Sequence, residues 1–317
     1  MPYSHYPNGF KNGVTVRGVP LVTTNPGKVF WVNSTTVRLG DDSGVVGGED
    51  STSSQSGTFQ RPFATIDHAI NQCVAARGDV IFVMPGYTET IPLATTLVPD
   101  VSGVAIIGLG SGTLRPTLSL SAVASSIILS GENVVFQNFL LLAEHDNTIM
   151  VEVTGSDIQV VDVECRSRIA ATTRQFVTAI DVGGASANDC DRTVVSGCKI
   201  TSPDVGSTEG IKFSAVSEGV IVENCSVFGD FSVAPIHNPT GNVCTNLTVK
   251  DCQLVQLQAA DLALELVSAC TGNLIRNYYG SAVAGIGGVD PGSCRSYESF
   301  ATDAIDVSGA LAPTITT

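Results

Sequence analysis

The chain has 317 residues, 43% hydrophobic and 15% charged, with 30 Asp and Glu against 16 Lys and Arg and a formal net charge of −14. That balance excludes intrinsic disorder, and it excludes a nucleic-acid binder that grips phosphates through a basic stripe. No run of 18 apolar residues occurs, and MPYSHYPNGFKNG has no charged region leading into an apolar one, so neither a membrane span nor a secretory leader is expected. Synthesis in a reducing cytoplasm follows, and an odd number of cysteines, nine, fits free thiols.

Residues 1–34 hold the only tryptophan, Trp31, with Tyr3, Tyr6, Phe10 and Phe30 and the bases Lys11, Arg17 and Lys28. Protein interfaces enrich aromatic and Arg anchors, so this arm reads either as a docking or oligomerisation segment or as a strand folded back on the main body. Residues 35–56, with GDDSGVVGGEDSTSSQS, read as a Gly/Ser-rich polar loop whose acidic spacing does not fit an EF-hand. Next, Thr65 is placed to cap a short helix with Ile66, Ala69, Ile70, Cys73 and Val74 on one face and Gly78 ending it. Such a helix just before the strand DVIFV can cover an open sheet edge.

Further along, VVFQNFLL (134–141), IQVVDVEC (158–165), TVVSGCKI (193–200), VIVENCSV (220–227), LTVKDCQL (247–254) and NLIRNYYG (273–280) align on Asn138, Asp162, Gly197, Asn224, Asp251 and Asn277. The steps of 24, 35, 27, 27 and 26 residues, each copy carrying alternating β-branched residues, predict a solenoid in which each turn buries its apolar side against its neighbours. Asn, Asp and Gly reach a left-handed backbone cheaply, so the chain is expected to bend there, with Pro85 and Gly108 taking the bend in the first coils. The next position, Phe139, Val163, Cys198, Cys225, Cys252 and Tyr278, reads as an inward column. Eight residues before it Gly131, Gly155, Cys190, Ser217, Cys244 and Cys270 form a second column of small side chains. Thiols packed as small hydrophobes explain these ladders better than metal or redox chemistry, since no zinc spacing is present. Outward positions place Glu223 beside Lys250 and Glu164 near Lys199 as cross-strand pairs. Eight bends give seven steps and a rod of about 34 Å. Two long steps fall near 111–120 and 166–175; the second carries Arg166, Arg168 and Arg174, a contact site or a solvated loop. After Asn277 the pattern dissolves, and residues 282–317 read as a C-terminal cap or tail.

GTFQRPFATIDHAI, GDVIFVMPGYTETI and VAIIGLGSGTLRPTLSL resemble the cap and first coils of the right-handed parallel β-helix proteins of the pectate-lyase-like superfamily, a likeness that spans roughly residues 57–281. Within that superfamily, NGFKNGVTVRGVPL and GKVFWVNS resemble β-helix structural proteins of tailed bacteriophages. The resemblance implies an all-β, single-stranded right-handed parallel β-helix with a short N-terminal capping helix and an extended N-terminal arm, assembled as a homotrimer on a virion surface.

Chemistry is sparse in the sequence. Asp162 and Asp251 occupy bends, Glu164 and Glu223 face lysines, and Asp181, Asp204, Glu209, Glu218 and Asp230 fall in connections that share no evident face. The histidines His5, His68, His145 and His237 are scattered, and His237 reads as a turn residue. The expectation is therefore a non-enzymatic virion protein, without catalytic residues or cofactor, that contacts a capsid or other virion protein through residues 1–34. The alternative is a tailspike or receptor-binding protein that binds or depolymerises host polysaccharide.

Overall fold

The computed structural model describes residues 27–35, 47–53, 56–167, 174–184, 189–258, 261–281 and 288–302, and the short strands Val14–Val16, Val19–Leu21 and Gly309–Ala310. Tyr3, Tyr6, Phe10, Lys11, Arg17 and Arg168 lie outside the described residues.

The alternation of β-branched residues seen in the sequence becomes a parallel β-solenoid. The first sheet stacks ten strands in parallel, from Val29–Val32 through Val80–Val83, Ala105–Gly108, Val135–Gln137, Gln159–Val161, Val194–Ser196, Ile221–Glu223, Leu247–Lys250 and Gly272–Ile275 to Arg295–Tyr297. Nine steps at about 4.8 Å make a rod of about 43 Å, longer than the repeat alone predicts. The extra length comes from both ends. Val29–Val32 pairs with Val80–Val83, so this part of the N-terminal segment is the first rung, and Arg295–Tyr297 adds a coil past the point where the sequence pattern dissolves. Each coil continues into a second sheet, for example Leu140–Ala143, and then a third, for example Asn147–Val153. The second and third sheets merge where Lys199–Phe213 and Ser226–His237 run through both without a break. At the far end Gly309–Ala310 pairs antiparallel with Phe300–Thr302, adding a strand of opposite direction to that edge.

Asn138, Asp162, Gly197, Asn224 and Asp251 are all left-handed, with φ between 52° and 66°, and they turn the chain from the first sheet into the second. In the next coil the left-handed residue is Arg276 (φ 50°) rather than Asn277. Cys252 therefore stacks against Asn277, and Tyr278 faces outward while Tyr279 faces inward. The slip has a chemical reason. Buried Asn277 Oδ1 accepts the N–H of Cys252 at 3.0 Å and its Nδ2 donates to the Val249 carbonyl at 2.8 Å, whereas Arg276 at the bend reaches back to Asp251 with two bonds of 2.7 Å. Arg192, left-handed at the entry to the first sheet, forks in the same way onto Asp157, at 2.7 and 2.6 Å. Both arginines sit where the backbone disfavours them, and both bind an aspartate on the coil below. The first coils turn later than expected: Gly108 is not left-handed, and the positive-φ residues there are Gly86 and Gly110.

Of the expected outward pairs, Lys250 Nζ meets Glu223 at 2.7 Å. Glu164 lies in register with Lys199 but binds Arg115, at 3.2 Å, and Arg166 instead.

All nine cysteines are free, eight of them buried and Cys73 half-buried. Burial raises the Cys165 and Cys294 thiols, the latter to about 12; Cys270 is pulled down, to about 7, first by its bond with the Cys244 thiol and then by the Cys244 N–H, which its sulfur accepts at 3.2 Å. Close packing rather than titration governs access. A disulfide-forming thiol reagent added to native protein should therefore titrate no more than Cys73 quickly, and all nine thiols only after unfolding.

The capping helix, Ile66–Ile70, is shorter than the sequence predicts; Thr65 Oγ1 accepts the His68 N–H at 3.2 Å, and Ile66, Ala69 and Ile70 are buried while Val74 is exposed. Beneath it Glu89 takes a core position, in register with Leu118. Tyr87 Oη lies 2.6 Å from Glu89 Oε2 and 3.0 Å from the Ala64 carbonyl. One phenolic proton cannot serve both, so the arrangement is satisfied when Glu89 is protonated and donates to Tyr87. Burial indeed pushes Glu89 up to about 7. The folded state then binds a proton that the unfolded state has released, so the contribution is fully present below the ordinary Glu range and is lost as pH rises to about 7, roughly 3 kcal/mol in all. Glu89→Gln is expected to raise the melting temperature at about pH 8 and to leave it nearly unchanged at about pH 4.

Candidate functional site

The third sheet carries what the sequence disperses. Its strands alternate inward and outward except at one corner, where Met150 and Val151, and likewise Ala179 and Ile180, are consecutive buried residues. Gly210 and Ile211 continue the corner: a Cβ on Gly210 would fall 2.5 Å from the core residue Val227. Residues three apart across this kink, such as Glu209 and Lys212, therefore face the same way, and simple alternation misses them.

On the outer face one row runs in register from Glu152 to Asp181, Lys212, His237, Glu265 and Asp290. Before the corner a second row places Thr178 beside Glu209. Glu209, only 3% exposed, is the hub between them. Its Oε2 accepts the Thr178 hydroxyl at 2.8 Å, and its Oε1 lies 3.2 Å from His237 Nδ1 and 3.5 Å from Lys212 Nζ. Burial pushes Glu209 up, but the bonds from His237 and Thr178 and the charge of Lys212 outweigh it and hold the carboxyl below its ordinary value. A carboxylate only accepts, so His237 donates through Nδ1, which leaves Nε2 as the ring atom for acid–base work.

Asp181 behaves oppositely. It is 7% exposed, and burial raises it to about 6; the Ser214 hydroxyl, 2.6 Å from Oδ1, and Lys212 oppose the rise, while Glu152 and Glu209 add to it. Gly183 makes room for this bond, since a Cβ there would lie 1.7 Å from Ser214 Oγ. Glu152 is also raised by burial. Two carboxyls on neighbouring strands are thus driven apart, one toward the acid and one toward the anion, and a fixed imidazole stands one strand further on. That is the constellation of general acid–base catalysis. Among the described residues no three His, Cys, Asp or Glu groups are placed to hold a metal ion.

The contact residues expected from the sequence lie elsewhere. Phe30 is buried against Phe63, with centroids 5.9 Å apart, and Trp31 packs on Phe59 and Phe82 at 5.0 and 5.1 Å. Lys28 is exposed. Arg166 pairs with Glu164, and Arg174 with Glu144 at 3.4 Å. Asp181, Glu209 and His237, which the sequence leaves apart, are the residues the fold unites; the signal for them is the doubled inward position in AI, GI and PI, one residue ahead of Asp181, Lys212 and His237.

No family model matches the sequence, and no curated protein matches it. Among solved structures the chain is similar to a pectate lyase, Pel9A, at 12% identity and TM-score 0.49, covering 87% of this chain and 78% of the other. It is similar to a rhamnogalacturonan lyase at 16% identity and TM-score 0.46, covering 80% and 74%. A pectin methylesterase from Aspergillus niger aligns at 14% identity and TM-score 0.37, covering 84% and 94%. All three are named as enzymes, which overturns the expectation that this chain is not one. The likeness is one of fold, and any chemistry has to come from this chain's own residues.

Proposed function

We propose that the chain cleaves glycosidic bonds in a polysaccharide laid across the outer row of the third sheet. The observation that carries this reading is the divergence of Asp181 and Glu209: a buried carboxyl raised to about 6 beside a carboxylate held low that clamps His237. Asp181 gives its proton to the leaving oxygen, His237 Nε2 accepts one, and Glu209 and Thr178 fix the imidazole. Asp181 and His237 lie two strands apart, about 9.6 Å at the backbone, with Lys212 on the strand between them drawn to Glu209, so the sugar and the reacting water lie over the row rather than within it. The phage-like arm in the sequence supports a setting on a tailed-phage virion, as a homotrimeric tailspike-type protein docked through its N-terminal segment. The test is incubation of purified chain with a panel of bacterial surface and plant polysaccharides, with reducing ends and oligosaccharide masses as readouts. Product from the wild type and none from His237→Gln is the expected result; no product from any polymer sinks the reading.

A further inference from the structure

We infer that the glycan this face takes carries no carboxylates, and is broken by hydrolysis. This rests on the proposed cleavage site and names its substrate class. Among the described residues four carboxyls besides the acid Asp181 stand on or beside this row, Glu152, Glu209, Glu265 and Asp290, against one lysine, and Lys212 is already claimed by Glu209 at 3.5 Å. In the turns beyond the row the Cys190 thiol is raised first by its burial and then by the charges of Asp189, Asp181, Asp191 and Glu152. The whole chain adds to this, at a net charge of −14. A polyuronate laid along this row would set its carboxylates against a line of like charge, repulsion that is strongest at low salt. A neutral or amine-bearing sugar polymer meets acceptors for its hydroxyl and ammonium protons instead.

The charge also selects the reaction. Elimination next to a uronate needs a cation to neutralise the sugar carboxylate; among the described residues no three His, Cys, Asp or Glu groups are placed to hold a metal ion, and the lysine of this row is engaged with Glu209. Hydrolysis balances with groups at hand: His237 Nε2 takes a proton from water, the water oxygen bonds to the anomeric carbon, the carbon–oxygen bond to the leaving sugar breaks, and Asp181 protonates that oxygen.

The experiment compares three polymers at low and high salt, a neutral glucan, a partly deacetylated glucosamine polymer and polygalacturonate, by retention in affinity electrophoresis and by product analysis. The full-length wild type is expected to retain or cleave one or both of the first two and to leave polygalacturonate untouched. Products carry a new reducing end and no unsaturated uronate. A triple variant, Glu152→Lys, Glu265→Lys, Asp290→Lys, is expected to gain about tenfold in polygalacturonate retention at low salt and to lose that gain at high salt. Circular dichroism melting of the variant checks that it is folded. Wild-type preference for polygalacturonate, or an unsaturated product, overturns this inference and leaves the cleavage site standing. Retention and cleavage of none of the polymers here or in the wider panel overturns both.

Discussion

His237→Gln lowers turnover of the polysaccharide by a factor of about 10²–10⁴, the usual contribution of a positioned acid or base, and leaves the melting temperature close to that of the wild type. The ring is 15% exposed and makes its bond outward of the core, to Glu209 Oε1, so its loss removes chemistry more than packing. Asp181→Asn falls by a similar factor, because an amide keeps the Ser214 contact and cannot give up a proton. Stability moves the other way. Asp181 has its folded value raised to about 6, so the folded state holds a proton that the unfolded state has lost, and the contribution present at low pH disappears as pH rises through about 6. Asp181→Asn is therefore expected to be more stable than the wild type at neutral pH while nearly inactive, a trade typical of residues kept for reaction rather than for folding. The pH profile separates the roles further. The protonated form of Asp181 is the active one, so the rate drops on the alkaline side of about 6. Removing the Ser214 hydroxyl takes away a bond that lowers Asp181, so Ser214→Ala should carry that limb to higher pH. A limb that stays in place in Ser214→Ala would remove Asp181 as the acid.

The sequence carries the architecture plainly, because stacking imposes it on every coil. Left-handed bends recruit Asn, Asp and Gly, and β-branched residues follow in alternation; Asn138 through Asp251 can be aligned by eye. Legibility fails where chemistry replaces that rule. Arg276 takes a bend that should hold Asn, since its fork to Asp251 offsets the backbone cost and frees Asn277 for the interior. The site fails to show for a geometric reason: the corner at Ala179–Ile180 and Gly210–Ile211 shifts the phase of the alternation midway along a strand. Glu209 then shares a face with Lys212 and His237 although period-two counting sets it on the opposite side. His237 stands two residues after Pro235 and directly before Asn238, which locally reads as a turn, but it ends a twelve-residue strand, Ser226–His237. Only register across coils reveals the row, and register is a property of the stacked structure.

The largest loss of stability is expected from Phe136→Ala. Phe136 is fully buried in the first-sheet column between Ile106 and Val160, and its ring stacks on Phe139 with centroids 4.3 Å apart and planes 5° from parallel. Deletion removes the transfer free energy of a phenyl ring and leaves a cavity beside a second ring, about 3–5 kcal/mol, unless neighbours collapse into it. Collapse is limited because Ile106 and Val160 are held in register by the sheets on either side. Urea denaturation should show the midpoint falling with an unchanged slope if the rod still unfolds as one unit. Solenoids interact mainly between nearest neighbours, so the loss should also be local. Hydrogen exchange is expected to accelerate first in Ala105–Gly108, Val135–Gln137 and Gln159–Val161, while Leu247–Lys250 keeps its protection. Glu152 and Asp181 lie on coils close to the cavity, and His237 and Glu265 lie further along. A variant that is destabilised but folded should therefore bind its glycan less well through the near half of the row, with the His237 end intact. Uniform acceleration of exchange from Ala105 to Lys250 would instead mean that the coils form a single cooperative unit, and the row would rise or fall as a whole.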